Sequence, residues 1–177
     1  MTYTLDAFCK DAKHILSTTP GPLGRKGVCE ALENLLKDEA FLAAHCGPDV
    51  KPGIETVYRD PELGFNVLVH AYADGKSGPP HDHGDSWAVY GQAVGHTVMS
   101  TWKRLDDSST EGRAKLEKDQ TYQLDPGMAG IFEPKDIHSI VITDNCRFVR
   151  VTGVDLDTIE TLVFDPEDGT VKPGNRR

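Results

Sequence analysis

From about residue 53 onward the chain is cut into short segments rich in β-branched and aromatic residues, each closed by a cluster of Gly, Pro, Asp or Ser. The segments 54–58, 65–72, 86–90, 95–102, 115–124, 130–132, 139–142, 147–152 and 161–164 read as strands. Between them lie turn formers, as in Ala73-Asp-Gly-Lys-Ser-Gly-Pro-Pro80, Leu105-Asp-Asp-Ser-Ser109 and Leu124-Asp-Pro-Gly127. Many short strands separated by Gly/Pro/Asp turns predict an antiparallel sandwich or barrel, so the chain is expected to be mainly β.

The first third has a different period. Leu5, Phe8, Ala12, Ile15 and Leu16 recur at helical spacing behind Thr4, a candidate cap. The run Thr19-Pro-Gly-Pro-Leu-Gly-Arg25 is expected to break that helix. Val28, Leu32, Leu35 and Leu36 form the stripe of a second helix, which Phe41-Leu-Ala-Ala-His45 extends as far as Gly47-Pro48. The expected organisation is one domain over 1–177, with a helical lobe at 1–50, a β-barrel at 53–165 and a frayed tail at 166–177. No internal repeat is present.

A formal net charge of −9 without a basic run argues against a nucleic-acid or anionic-membrane partner. No stretch approaches the roughly 18 apolar residues that a membrane span requires. Met1-Thr-Tyr-Thr-Leu-Asp6 has neither the basic nor the apolar part of a secretion signal, so a cytoplasmic location is expected. Cys9, Cys29, Cys46 and Cys146 show no CxxC or zinc spacing and are expected to be reduced thiols.

The most informative stretch is Gly75-Lys-Ser-Gly-Pro-Pro-His81-Asp-His83. Residues two apart on a strand point to the same face, so both imidazoles can reach one point. Imidazole is a common neutral ligand for zinc, iron, copper and nickel. A third ligand has to come from elsewhere, and His138 is the best candidate, since it follows a turn at Pro134-Lys-Asp-Ile and opens an apolar strand. By itself an HxH pair is weak evidence, because solvated loop histidines are common.

The surrounding spacing adds to it. Gly75, five residues, His81-x-His83, four residues, Ala88, six residues, Gly95 reproduces the first cupin motif at every position but one. Pro134 to His138 is similar to the second motif, shortened by one residue. The chain thus resembles the cupins and, within them, the thiol dioxygenases that act on cysteine and 3-mercaptopropionate. The likeness is best over Phe65-Asn-Val-Leu-Val-His-Ala-Tyr72, the glycine turn, Pro80-His-Asp-His-Gly-Asp-Ser-Trp87 and Gly95. It implies a cupin double-stranded β-helix barrel, with His81, His83 and His138 holding Fe(II) facially and a small chelating substrate and O2 taking the open positions. A homodimer is expected by the same analogy.

Three departures stand out. Cupins place a glutamate after three or four intervening residues beyond the second histidine, where this chain has Trp87 and Ala88. A site of three histidines without a carboxylate is the thiol-dioxygenase pattern, and it leaves the ion's charge unneutralised, which favours an anionic or chelating substrate. Ala88 also replaces the cysteine that animal cysteine dioxygenases crosslink to a tyrosine, a cysteine that bacterial relatives lack as well. Finally, the family's Ser-x-His-x-Tyr relay is missing: the matching stretch is Phe148-Val-Arg-Val-Thr-Gly-Val154.

Other candidates follow from position. Arg59 follows Tyr58 much as the family's carboxylate-binding arginine does, and Trp87 and Tyr72 are expected to wall the pocket. Arg150 lies in the strand that lost the relay and could clamp a carboxylate or phenolate; His96 is a candidate proton donor or acceptor. His70 reads as a barrel-interior histidine, His14 and His45 as packing or surface residues, and Asp82 and Asp85 as orienting partners of the imidazoles. Imidazole ligation leaves Ni(II), Mn(II) and Zn(II) open beside Fe(II). A non-redox isomerase or lyase and a ligand-binding or sensing cupin therefore remain as alternatives to a dioxygenase.

Overall fold

Thr4 caps the first helix as its position suggests, its side chain accepting from the Ala7 N–H. In the computed structural model, which describes residues 3–174, three helices come first: α1 (Leu5–Thr18), α2 (Pro22–Leu35) and α3 (Glu39–Cys46). Two helix ends differ from expectation. Helix α2 starts inside the stretch read as a break, because Pro22 occupies its first turn, where no backbone N–H is needed. Residues 41–45 do not extend α2, since Asp38 caps a separate helix by accepting from the Phe41 N–H at 2.7 Å. No helix among the described residues is long and apolar enough to cross a membrane.

The strands are β1 (Gly53–Arg59), β2 (Asn66–Ala71), β3 (Lys76–Ser77), β4 (Ala88–Val94), β5 (Thr97–Arg104), β6 (Leu116–Leu124), β7 (Ala129–Phe132), β8 (Ile137–Ile142), β9 (Arg147–Thr152), β10 (Leu162–Asp165) and β11 (Thr170–Pro173). One sheet runs β1-β2-β9-β4-β7 and faces a second, β3-β8-β5-β6. All pairings between them are antiparallel. With β1 set aside as an edge, the eight remaining strands form the two Greek keys of a jelly roll, the double-stranded β-helix expected from the sequence. The tail is different: residues 170–173 do not fray but pair with β10, while residues 175–177 lie outside the described part.

The centre of the first sheet is buried on both faces: six of the seven β4 residues and all six β9 residues are buried, the polar Gln92, Arg147, Arg150 and Thr152 included. Val67, Val69, Trp87, Val89, Val149 and Val151 pack against Phe8, Val28, Leu32 and Leu35 of the helical lobe. The residues between them in sequence point the other way. Ala88, Tyr90 and Phe148 join Met99, Phe132, Ile140 and Ile142 inside the barrel. Helix α2 comes closest at Gly91, where a Cβ would lie 2.7 Å from Leu32 Cδ2 and 2.8 Å from Leu36 Cδ1.

Candidate metal centre

His81 and His138 are held opposite each other by a reciprocal pair of backbone hydrogen bonds, His81 N–H to His138 O at 2.8 Å and His138 N–H to His81 O at 2.9 Å. The other side of the 80–82 segment is fixed to β10: Phe164 N–H donates to Pro80 O, and Asp82 N–H to Leu162 O. Asp82 Oδ1 accepts from the Gly84 and Leu162 N–H groups, which shapes the turn that returns His83 to the same side as His81. Three segments far apart in sequence thus converge. One ring nitrogen from each of His81, His83 and His138 lies within 4.8 Å of the other two, and His83 Nε2 is 3.4 Å from His138 Nε2.

These residues suit a divalent ion. Metal–nitrogen bonds of about 2.1 Å put ligand nitrogens roughly 3.0–3.4 Å apart, so only a small inward movement of His81 is needed. His81 Nδ1 is 3.0 Å from the Pro79 carbonyl, a geometry in which Nδ1 carries the proton and Nε2 keeps its lone pair. Burial, then His81, His83 and Arg150, hold the His138 pKa well below 6.5. Burial also lowers that of His81, with Arg150 acting in the same direction and the Pro79 carbonyl and Asp82 opposing. Both rings are therefore neutral at neutral pH, the form a metal requires. Phe132 stacks on His138 at 3.9 Å between centroids and closes one side of the cluster to water.

No protein-family model and no curated protein matches the chain. Solved structures similar to it include a cupin superfamily protein from Desulfitobacterium hafniense, at 16% identity over 60% of this chain and 84% of that one, with a TM-score of 0.43. KdgF from Halomonas sp. is similar at 17% identity over 63% and 90% of the two chains, with a TM-score of 0.45. An L-ribose isomerase mutant from Acinetobacter sp., solved with L-ribose, is similar at 13% identity over 56% and 57%, with a TM-score of 0.42. Likeness at this level carries no functional information. What the site can do follows from its own residues.

The remaining candidates are scattered. Arg150 is close: it lies on the inner face of β9, opposite Tyr90 of β4 and Leu68 of β2, and its charge acts on both His81 and His138. Trp87 is not. It belongs to the helix-side core, because Ala88 faces inward and its neighbour must face outward. Tyr72 lies beneath the cluster, its hydroxyl 3.2 Å from His70 Nδ1 and its ring against Phe148, with Phe148 and Tyr90 between it and the histidines. His96 is in the β4–β5 turn, where its N–H donates to Thr143 Oγ1 and its carbonyl accepts from that hydroxyl. Thr143 directly follows β8, five residues on from His138, about 16 Å at strand rise, so His96 is at the opposite end of the barrel. Arg59 is ion-paired with Asp155 at the rim and is not a free clamp.

Tyr90 is the neighbour that the sequence reading did not assign to the site. Its hydroxyl lies 3.1 Å from His83 Nε2, and its ring is 5.3 Å from that of His138. The signal was parity: Ala88 marks the inward face of β4, and Tyr90 is the next residue on that face.

Proposed function

We propose that this chain is a metal-dependent cupin that holds one divalent ion through His81, His83 and His138, and that the ion is Fe(II), serving the reaction of O2 with a small chelating organic substrate. The observation that carries the reading is the convergence of one ring nitrogen from each of three histidines with no carboxylate in the cluster among the described residues. Iron bound by such a set supplies one-electron redox chemistry and open positions for a substrate and O2. The rest falls to the chain. The hydrogen bond at Pro79 orients His81, Phe132 and Phe148 keep the interior dry, and Tyr90 places a hydroxyl beside His83 Nε2 as the nearest proton carrier.

The inner face of β9 favours a second reading. Its inward residues are Phe148, Arg150 and Thr152, with no histidine or tyrosine to relay protons. An isomerase or lyase using Zn(II), Mn(II) or Ni(II) as a Lewis acid needs no such relay and would use Tyr90 alone. O2 consumption by anaerobically iron-loaded protein, measured against thiols, β-diketones and hydroxylated aryl ketones, separates the two. Uptake that requires both iron and His138, with His138→Ala as the control, supports the dioxygenase. Full metal occupancy with no uptake refutes it.

A further inference from the structure

On β8 the neighbours Ile137 and His138 face opposite ways: the histidine looks into the barrel, and Ile137 packs outside it with Ala114 and Phe164 of β10. On that outer side, behind the metal centre, lies a cavity of about 440 Å³. Ile137, Ile159, Leu162 and Phe164 give it an apolar wall, and none of the three histidines borders it. Backbone hydrogen bonds tie its frame together, Asp82 N–H donating to Leu162 O and Lys135 N–H to Gly84 O. The hollow is therefore preformed, and it falls within the roughly 300–1,000 Å³ of small-molecule sites.

Charge sets it apart from a plain surface hollow. Two cations border it, and both are taken: Arg104 by Asp106 and the Arg113 carbonyl, Lys135 by Asp85 at 3.1 Å. Two acids are not. Asp82 is 5% exposed, and its Oδ1 accepts from the Gly84 and Leu162 N–H groups. No described cation or donor meets its Oδ2, which is left to the cavity. Glu160, exposed at the mouth, has no ion pair among the described residues. A buried carboxylate short of partners is costly, and a cation that brings its own N–H donors relieves that cost. The acids thus call for a positive head and the wall for a hydrocarbon body, with room for a flat ring against Ile137 and Phe164.

We infer that this cavity is a second binding site, for a small organic ammonium ion with an apolar body. The ammonium pairs with Asp82 and Glu160, and the body covers Ile137, Ile159, Leu162 and Phe164. The site does not depend on the metal reading, although Asp82 and Ile137 adjoin the three histidines in sequence. An occupant is held against both histidine-bearing segments from outside the barrel.

Phenethylammonium is the probe, titrated by calorimetry into zinc-loaded protein and followed by amide NMR shifts. Phenethyl alcohol is the uncharged control and 3-phenylpropionate the anionic one. The ammonium should bind about tenfold or more tighter than the alcohol, and the anion should not bind. Shifts should centre on 82–85, 135–137 and 159–164. Asp82→Asn keeps an oxygen for the two N–H groups and should lose about tenfold or more in affinity at one zinc per chain. Glu160→Gln, at an exposed position, should lose about two- to fivefold. Should Asp82→Asn fail to hold zinc, Glu160→Gln and the shifts decide. Affinity should survive removal of zinc, whereas an amine that ligates the ion would lose it. Equal affinity for the ammonium and the alcohol, or for wild type and both variants, overturns the inference. Shifts centred elsewhere, or binding that appears only with zinc, overturn it too. Wild type that takes up no zinc sinks the metal reading alone, and the same outcomes then decide the cavity in metal-free protein.

Discussion

Acidifying the metal-free protein from pH 7.5 to 5.5 should remove about 2 kcal/mol of stability, through His81 and His138. Both have folded pKa values below 6.5, with burial as the largest cause. Well above pH 6.5 neither the folded nor the unfolded chain protonates these rings to any extent, and they contribute no pH dependence. Below it the unfolded chain takes up protons that the folded chain refuses, so stability falls with pH. One unit below the unfolded value, a fully excluded histidine costs about 1.4 kcal/mol. His138 is 0% exposed and should approach that figure, while partly buried His81 contributes less. For a chain of this size about 2 kcal/mol lowers Tm by roughly 4–8 °C. Calorimetric or circular-dichroism melts at half-unit pH steps would read it. The window is distinct from that of the carboxylates. At Asp60, burial raises the pKa but the Leu63 and Glu62 N–H groups and the Tyr58 hydroxyl bring it below 3.8, so its contribution is lost only at still lower pH. His138→Gln should flatten the slope between pH 7 and 5.5 by more than half. A melting temperature that does not change across that range, or an unchanged slope in the variant, would refute the argument that these rings are held neutral.

Further outcomes can be checked directly. Gly91→Ala drives a methyl into Leu32 and Leu36 of the helical lobe and should cost about 1–3 kcal/mol by chemical denaturation, with Leu32→Ala in the same chain restoring part of the loss. Asp38→Ala removes the cap of α3 and should cost about 1 kcal/mol in the same assay. Tyr90→Phe deletes the hydroxyl beside His83 Nε2; metal content should be unchanged while turnover falls about 100-fold or more, and a fall in metal content instead would make Tyr90 a support for His83 alone.

The sequence was most readable where a local period coincided with a burial pattern. The α1 stripe and its Thr4 cap, the β9 boundaries and the pairing of His81 with His83 all follow from short-range spacing, while His138 was reached through the turn and apolar strand around it. Errors arose where a single residue decides. Trp87 and Ala88 are neighbours at the start of a strand buried on both faces, so composition gives no sign of which one looks inward, and the aromatic was taken for the pocket residue. The stretch 19–25 does end α1, at Thr18, but α2 already opens inside it at Pro22, because a helix tolerates proline in its first turn. His96 and Arg59 carry suitable chemistry, but their positions depend on which end of the barrel their turns occupy and on a partner, Asp155, that lies 96 residues away.

His83 and His138 meet across 55 residues of chain, and everything from β4 to β7 lies between them. An ion grasping both would act as a cross-link around that loop. By the chain-entropy reckoning used for disulfides, closing a loop of this size is worth about 4 kcal/mol. Occupancy of the site would then govern how long a molecule survives as well as what it can do. In a cell, chains without metal would be the first to open and the first to be degraded, so the working population would be purified by turnover of its empty members.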